Sequence, residues 1–476
     1  MSSLPKFRLP YSLGLASAFA STLLWLTPTT ASAQDKATLD LLVRKGVITQ
    51  ADADDVAKSS AVPVAVTPKD GAVKGLKLEG MIQAQYDFLS TSDKGAGLIN
   101  PPGTNEFLLR RIYLGALADL GNGWNAEIVM DFGLTDGGNQ PSGGPAAAIP
   151  ATTTTYNPAV GANYFEKVII TKKVDDLSGL LGVGYRKVDF TLEEVTSSTS
   201  GKAIERSPVS RFFDESYGTD LSGRVGFANR HTGIYWAGTV PAIPGLYYSM
   251  AVTDGVQSEN LQFTNPGGLN RLGYWGALGY KGEIAGVKYD AGINTGLSQD
   301  ANSVNISQTT PVSTVNQANT EWGYNPYVKL AYGNFELAAE FEQVTVDHGR
   351  GATPATATRA APYGFQITPS YKITPEWELA ARYAYLSTNG RGVQIKDVVR
   401  DGENALPTVG TTAPLFNNVS SYYVGVNWYI EGPSVKLSLG YELDQFTDRS
   451  ATGAGGSFTG PRANVEGVRS QLQVLF

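Results

Sequence analysis

The chain of 476 residues holds 54 Gly, 24 Tyr and 18 Phe, only 4 Met and no Cys, with 17% charged residues and a formal net charge of −7. The lack of cysteine excludes disulfides, thiolate metal sites and cysteine nucleophiles, and the acidic balance argues against nucleic-acid binding through a global basic field. The charge content is low for a soluble surface, and the length suits either two or three ordinary domains or one large barrel.

Residues 1–33 read as a signal peptide. Lys6 and Arg8 form a short basic region, Tyr11 to Leu26 is apolar, and Ala31-Ser32-Ala33 is a small-residue cleavage site. The competing reading, a membrane anchor, needs a longer apolar stretch. Residues 34–74 are expected to form a short helical segment and linker. Leu39, Leu42 and Val43 recur at helical spacing over 34–58, Gly46 breaks the run, Thr49 precedes Asp52 as a weak N-cap pattern, and Pro63 and Pro68 mark the linker. This piece would dangle in the periplasm, zip with copies of itself, or serve as a mobile leader.

From residue 75 to 476 the period is two. Leu78, Gly80, Ile82, Ala84, Tyr86 and Phe88 alternate with Lys77, Glu79, Met81, Gln83, Gln85 and Asp87. Trp124, Ala126, Ile128 and Met130 alternate with Asn125, Glu127 and Asp131, and Leu379, Ala381, Tyr383 and Tyr385 flank Arg382. Val435, Leu437, Leu439 and Tyr441 alternate with Lys436, Ser438 and Glu442, and Leu472, Val474 and Phe476 with Gln471 and Gln473. A soluble sandwich also alternates, but these runs have about the ten residues that cross a bilayer at a tilt. The breaks between them alternate between short and long. Short breaks fall at Gly121-Asn122-Gly123, Asp175 to Gly179, Pro241 to Gly245, Ile284 to Gly286, Gly333-Asn334, Pro375-Glu376 and Glu431 to Ser434. Eight long breaks, rich in Gly, Ser, Thr and Pro, separate the rest, including one at 297–319. Seven short and eight long breaks join sixteen strands, the last ending on Phe476.

The expected fold is therefore all-β: a sixteen-stranded antiparallel transmembrane β-barrel at the bacterial cell outer membrane, with outer-membrane lipid around it. Lipid offers no hydrogen bonds, so only a closed barrel spans it with strands. Sixteen strands are too many for side chains to fill, so a lumen remains, and the inward parity predicts that it is polar. Such a barrel passes water and small hydrophilic solutes.

Little here supports catalysis, and no catalytic residue, metal site or cofactor is expected. His231 and His348 are the two histidines. Neither belongs to a metal-spaced pair, and no nucleophile elbow or phosphate loop occurs. Glu193 and Glu194 are adjacent, so on an extended chain they face opposite ways and suit loop charges better than an acid–base pair.

The segment 180–215 differs from the other breaks. It carries Arg186, Lys187, Glu193, Glu194, Thr196, Ser197, Ser198, Glu205, Arg206, Arg211, Phe212 and Phe213. An arginine fork beside hydroxyls suits a partly dehydrated anion, whereas the plainer reading is an external loop with a few charges. Here the chain resembles the phosphate-selective porin O and P family. The resemblance rests on Gly184-Tyr185-Arg186-Lys187 with Phe190, on Glu193 to Ser198, and on Glu205-Arg206-Ser207. Further matches are Arg110 to Gly115, Arg382 to Leu386, Val424 to Tyr429, and the closing Arg469 to Phe476.

Membership implies a homotrimer with the third loop folded inward as a constriction. It also implies an anion pathway through Arg110, Arg111, Tyr113, Ser197, Ser198 and Arg206, with small anions such as phosphate as the solute. Strict alternation would put Arg110 and Arg111 on opposite faces, so a bulge or an early strand start is needed for both to act. A lysine of the phosphate-selective members is replaced by Glu194, a carboxylate expected to repel anions. The alternatives are a general, weakly selective porin, an envelope-tethering structural barrel that works through 34–58, and a sugar channel. The last would need inward aromatics, whereas Tyr and Trp fall mainly on the outward parity.

Overall fold

The computed structural model describes residues 73–94, 103–133, 165–175, 178–215, 224–255, 272–299, 303–309, 312–318, 320–347, 359–389, 393, 395, 398–400, 402, 416–449 and 462–476. The expectations for residues 1–33 and 34–58, and for His348, lie outside them.

The period-two segments are strands. They are β1 (Gly75–Lys94), β2 (Thr104–Gly121), β3 (Trp124–Asp131), β4 (Phe165–Val174), β5 (Gly179–Lys187) and β6 (Arg230–Thr239). Next come β7 (Leu246–Asp254), β8 (Leu272–Ile284), β9 (Val287–Ser298), β10 (Ser303–Thr309), β11 (Val312–Ala318) and β12 (Glu321–Tyr332). The last are β13 (Phe335–Val346), β14 (Tyr363–Lys372), β15 (Trp377–Ser387), β16 (Phe416–Pro433), β17 (Val435–Arg449) and β18 (Ala463–Leu475). Sixteen of them, all but β10 and β11, form one closed antiparallel barrel in chain order. β10 and β11 pair only with each other. The sequence reading took 297–319 as a plain long break; it contains this hairpin. Valine and isoleucine recur there among Ser, Thr, Asn and Gln, a local β pattern with no membrane face to reveal it.

Closure joins β1 to β18, with Met81 opposite Leu475. Phe476 continues this pairing: its N–H donates to Gly80 O at 3.1 Å, and Gly80 N–H donates to Phe476 O at 2.7 Å. The Phe476 ring lies where a side chain on residue 80 would sit, since a Cβ there would be 2.3 Å from the ring. A larger residue at 80 would push the ring of Phe476 aside. At Gly184 the backbone itself calls for glycine. Its φ is +146°, and an added Cβ would meet Val168 O at 2.2 Å.

The two barrel faces differ as the alternation predicts. Leu78, Leu114, Ile170, Ile234, Leu278 and Leu379 are exposed on the outward face. Aromatics mark both rims: Trp124, Tyr332, Tyr371 and Trp377 near the short turns, and Phe107, Tyr274, Trp322 and Tyr422 toward the long loops. Trp377 and Trp428 stack at 5.2 Å, nearly parallel at 3°. Gln83, Gln85, Asp87, Asn325, Glu340, Arg382, Glu442 and Arg469 are buried on the opposite parity.

The expectation of a uniformly polar interior needs correcting. Toward the long-loop ends, Leu89, Val344, Val346, Leu386, Val419, Phe446 and Val465 occupy the inward parity. They belong to one buried apolar cluster with Val209, Phe212 and Phe213 of the third loop and with Val393, Ile395 and Val398 before β16. Burying these side chains against one another removes apolar surface from water.

Candidate functional site

The third long connection, between β5 and β6, is partly helical. After Phe190 it makes one turn of helix, α1 (Leu192–Val195), then a 3-10 turn over Ser198–Ser200, then α2 (Pro208–Asp214). Ser197 and Ser207 begin the last two. Ser197 Oγ accepts from Thr199 N at 3.3 Å, and Ser207 Oγ accepts from Ser210 N at 3.1 Å ahead of Pro208 at the first helical position. Val209, Phe212 and Phe213 of α2 are completely buried.

Barrel side chains hold this connection along its length. Asn294 Nδ2 of β9 donates to Phe190 O at 2.5 Å. Glu340 of β13 accepts the N–H groups of Leu192 at 2.6 Å and Glu193 at 3.0 Å. Lys202 Nζ meets Glu378 of β15 at 2.6 Å and Glu336 of β13 at 2.8 Å. Asn427 donates to Lys202 O, Lys436 to Thr199 O and Gly201 O, and Arg382 of β15 to Glu205 O at 2.7 Å. β5, where the connection begins, and β15, where it is held, stand eight strands apart counted either way round the ring.

Of the six residues expected to form the anion pathway, three lie on β2. Arg110 and Arg111 are both buried, because the β1–β2 register shifts between Gln83, opposite Arg111, and Ala84, opposite Leu109. Arg110 is the extra residue of the bulge. Their partners differ. Arg110 grips Glu205 through Nε at 2.6 Å and Nη2 at 3.2 Å. Arg111 Nη1 donates to Gln83 Oε1 at 2.7 Å, and Arg111 is in no ion pair among the described residues. Arg206 pairs with Glu194 at 2.7 Å. Ser197 is exposed, and Ser198 is half-buried in the 3-10 turn.

Arg111, Ser197, Ser198 and Arg206 line one cavity of about 960 Å³. Arg110 and Tyr113 are not part of its wall. The facing wall comes from β8, β9, β12, β13 and β14, through Lys281, Glu283, Asp290, Lys329, Glu336 and Glu340 among others. The cavity is thus bounded by the connection on one side and strands on the other, and both signs of charge reach it.

The carboxylate expected to repel anions does not act alone. Glu194 is buried between Lys187 Nζ at 2.6 Å and Arg206 Nε at 2.7 Å. Burial by itself would raise its pKa, but Arg206 and Lys187 outweigh that and hold it below the usual carboxylate range. Lys187 and Arg230 also share Glu166, so three cations meet two carboxylates in this cluster. Glu205 behaves similarly: burial opposes its charge, while Arg110, Arg400 and Arg111 hold it ionised. Glu215 is kept low by Arg400, Arg211 and Arg224 against the same burial penalty. Asp214 goes the other way. Burial, with Glu194 nearby, pushes it well above the ordinary range despite hydrogen bonds from Thr191 and Ser210.

Several participants escaped the sequence reading. Glu340, Asn294, Lys202, Arg400 and Lys436 carry no motif; only the inward parity of the strand residues among them marks them. Glu205 sits inside the matched segment, but as the partner of Arg110 it has a role that spacing could not assign.

The family model of the phosphate-selective porin O and P matches residues 77–476. The chain belongs to that family. It is an outer-membrane porin, a channel by family and by fold. Among solved structures, the high-pH structure of OprB from Pseudomonas putida is 11% identical, with a TM-score of 0.51, and the match covers 84% of this chain and 94% of that one. The anion-selective porin from Comamonas acidovorans is 12% identical at a TM-score of 0.49, covering 84% and 99%. OmpT of Vibrio cholerae is 10% identical at 0.47, covering 86% and 100%. At these identities the likeness concerns the fold alone. No curated protein matches the sequence.

Proposed function

We propose that this porin prefers small anions, phosphate or a related oxyanion among them, and that residues 188–215 fold into the lumen as its constriction. Arg111 carries the first part. A buried guanidinium in no direct ion pair among the described residues, on the wall of a water-accessible cavity, is a fixed positive charge in a low-dielectric setting. It attracts anions and offers free N–H donors in place of their hydration. Ser197 and Ser198 on the same cavity add hydroxyl donors. The surplus cation of the Glu166, Glu194, Lys187, Arg206 and Arg230 cluster has the same sign.

The attachment of the third connection to β15 supports the second part. A chord between opposite strands of a closed ring crosses its interior. Arg110, held by Glu205, then anchors the constriction rather than touching the anion. Homotrimer assembly and the division into residues 1–33 as signal peptide, 34–74 as periplasmic segment and 75–476 as barrel complete the proposal.

A weakly selective general porin is the second reading, favoured by the carboxylates Glu283, Asp290 and Glu336 on the same cavity. Phosphate titration of the chloride current in a planar bilayer separates the two. An anion site predicts saturable block by phosphate; a general porin predicts conductance proportional to bulk salt and no block.

A further inference from the structure

We infer that Glu340 is the positioning residue that latches the constriction loop to the barrel wall and so sets the width of the channel. This rests on the reading of residues 188–215 as the constriction. Glu340 projects inward from the middle of β13 and is buried. Its carboxylate collects four donors: the backbone N–H groups of Leu192 and Glu193, Asn325 Nδ2 at 2.9 Å, and Gln366 Nε2.

The two backbone donors open α1, which lacks a capping side chain of its own, since Thr191 makes no cap hydrogen bond. A free helix start leaves N–H groups without partners, and burying them unpaired is costly. Here a carboxylate from another strand satisfies them, so this helix start is complete only when docked on β13.

The neighbours of Glu340 make the latch specific. Asn294 of β9 donates both to Phe190 O and to Asn325 Oδ1, and Asn325 of β12 passes the chain on to Glu340. Gln366 of β14, directly opposite Glu340 in register, donates to it and to Glu193 Oε2 at 3.1 Å. Four adjacent strands, β9, β12, β13 and β14, thereby contribute one polar side chain each to a bracket around residues 190–193. None of these side chains forms a salt bridge to the loop, so the bracket works by acceptor and donor geometry. The two N–H groups use different oxygens of the carboxylate, so a glutamine at 340 keeps an acceptor for one of them and sets an NH2 against the other, while an alanine keeps neither.

Single-channel recording of the full-length protein in planar bilayers tests this with three variants. Glu340→Ala is expected to raise conductance at least twofold and to add open-channel noise, with Glu340→Gln, which keeps one of the two loop contacts, between Glu340→Ala and the wild type. Because the chain has no cysteine, an Ala203→Cys reporter adds a second readout. Its thiol labelling rate should rise several-fold with Glu340→Ala and by less with Glu340→Gln. Deletion of residues 192–206 is the control for the constriction itself and should raise conductance more than Glu340→Ala. If deletion raises conductance while Glu340→Ala leaves both conductance and labelling unchanged, the latch is overturned and the constriction stands. Unchanged conductance after deletion overturns the constriction, and the latch with it.

Discussion

Adjacent arginines on β2 have separate tasks. Arg110 is spent on Glu205, whereas Arg111 makes no ion pair among the described residues and lines the cavity, with Glu205 acting on it at longer range. Arg111→Met should therefore reduce anion preference with little change in conductance. Glu194→Gln tests the same electrostatics from the other side, because it leaves Lys187 and Arg206 without their shared carboxylate. It should shift the zero-current potential further toward the anion limit, opposite to Arg111→Met; a shift of both variants in one direction would refute the assignment. The carboxylates also divide by sign of linkage. Glu194, Glu205 and Glu215 are held below their ordinary values, so their contribution is present above the ordinary carboxylate range, about pH 4, and is lost as pH falls through their lower folded values. Asp214 is raised, so its favourable state is the protonated one and is lost as pH rises through the raised value. Asp214→Asn should thus stabilise the protein at neutral pH, on the order of 1 kcal/mol, with the gain fading in acid; denaturant melts at pH 4 and pH 8 measure it. The pairing of Arg110 and the shielding of Glu194 were not legible in sequence, because both depend on residues distant in the chain or on a loop whose path no local pattern encodes.

Strands and turns were the most legible elements. Inward and outward residues differ along most of each strand, and the short breaks join consecutive paired strands. A break in strict alternation near Arg110 was also readable, since two adjacent arginines can act together only through a bulge or an early strand start, and the register shift at Gln83 and Ala84 shows that it is a bulge. Elements outside the sixteen-stranded ring were read less well. The β10–β11 hairpin pairs only with itself, and α1 is a single turn stabilised by Glu340 rather than by its own sequence. The inward residues Leu89, Val344, Leu386 and Phe446 look like ordinary strand residues until the apolar face of α2 is placed against them. Their role is to seat the third connection, which keeps residues 190–215 ordered without a single disulfide.

At the scale of the molecule, the ring of sixteen strands converts a local period of two into a hole with a charged wall. Its seam is closed by backbone pairing of β1 with β18 and by Phe476 lying against Gly80. The family was legible from motifs spread along the barrel, while the preference for a solute rests on few residues, foremost Arg111. The zero-current potential across a planar bilayer under a tenfold KCl gradient tests that preference most directly. The account predicts a potential of the sign that marks chloride as the more permeant ion, and its reduction by Arg111→Met. A potential marking potassium as the more permeant ion would contradict it.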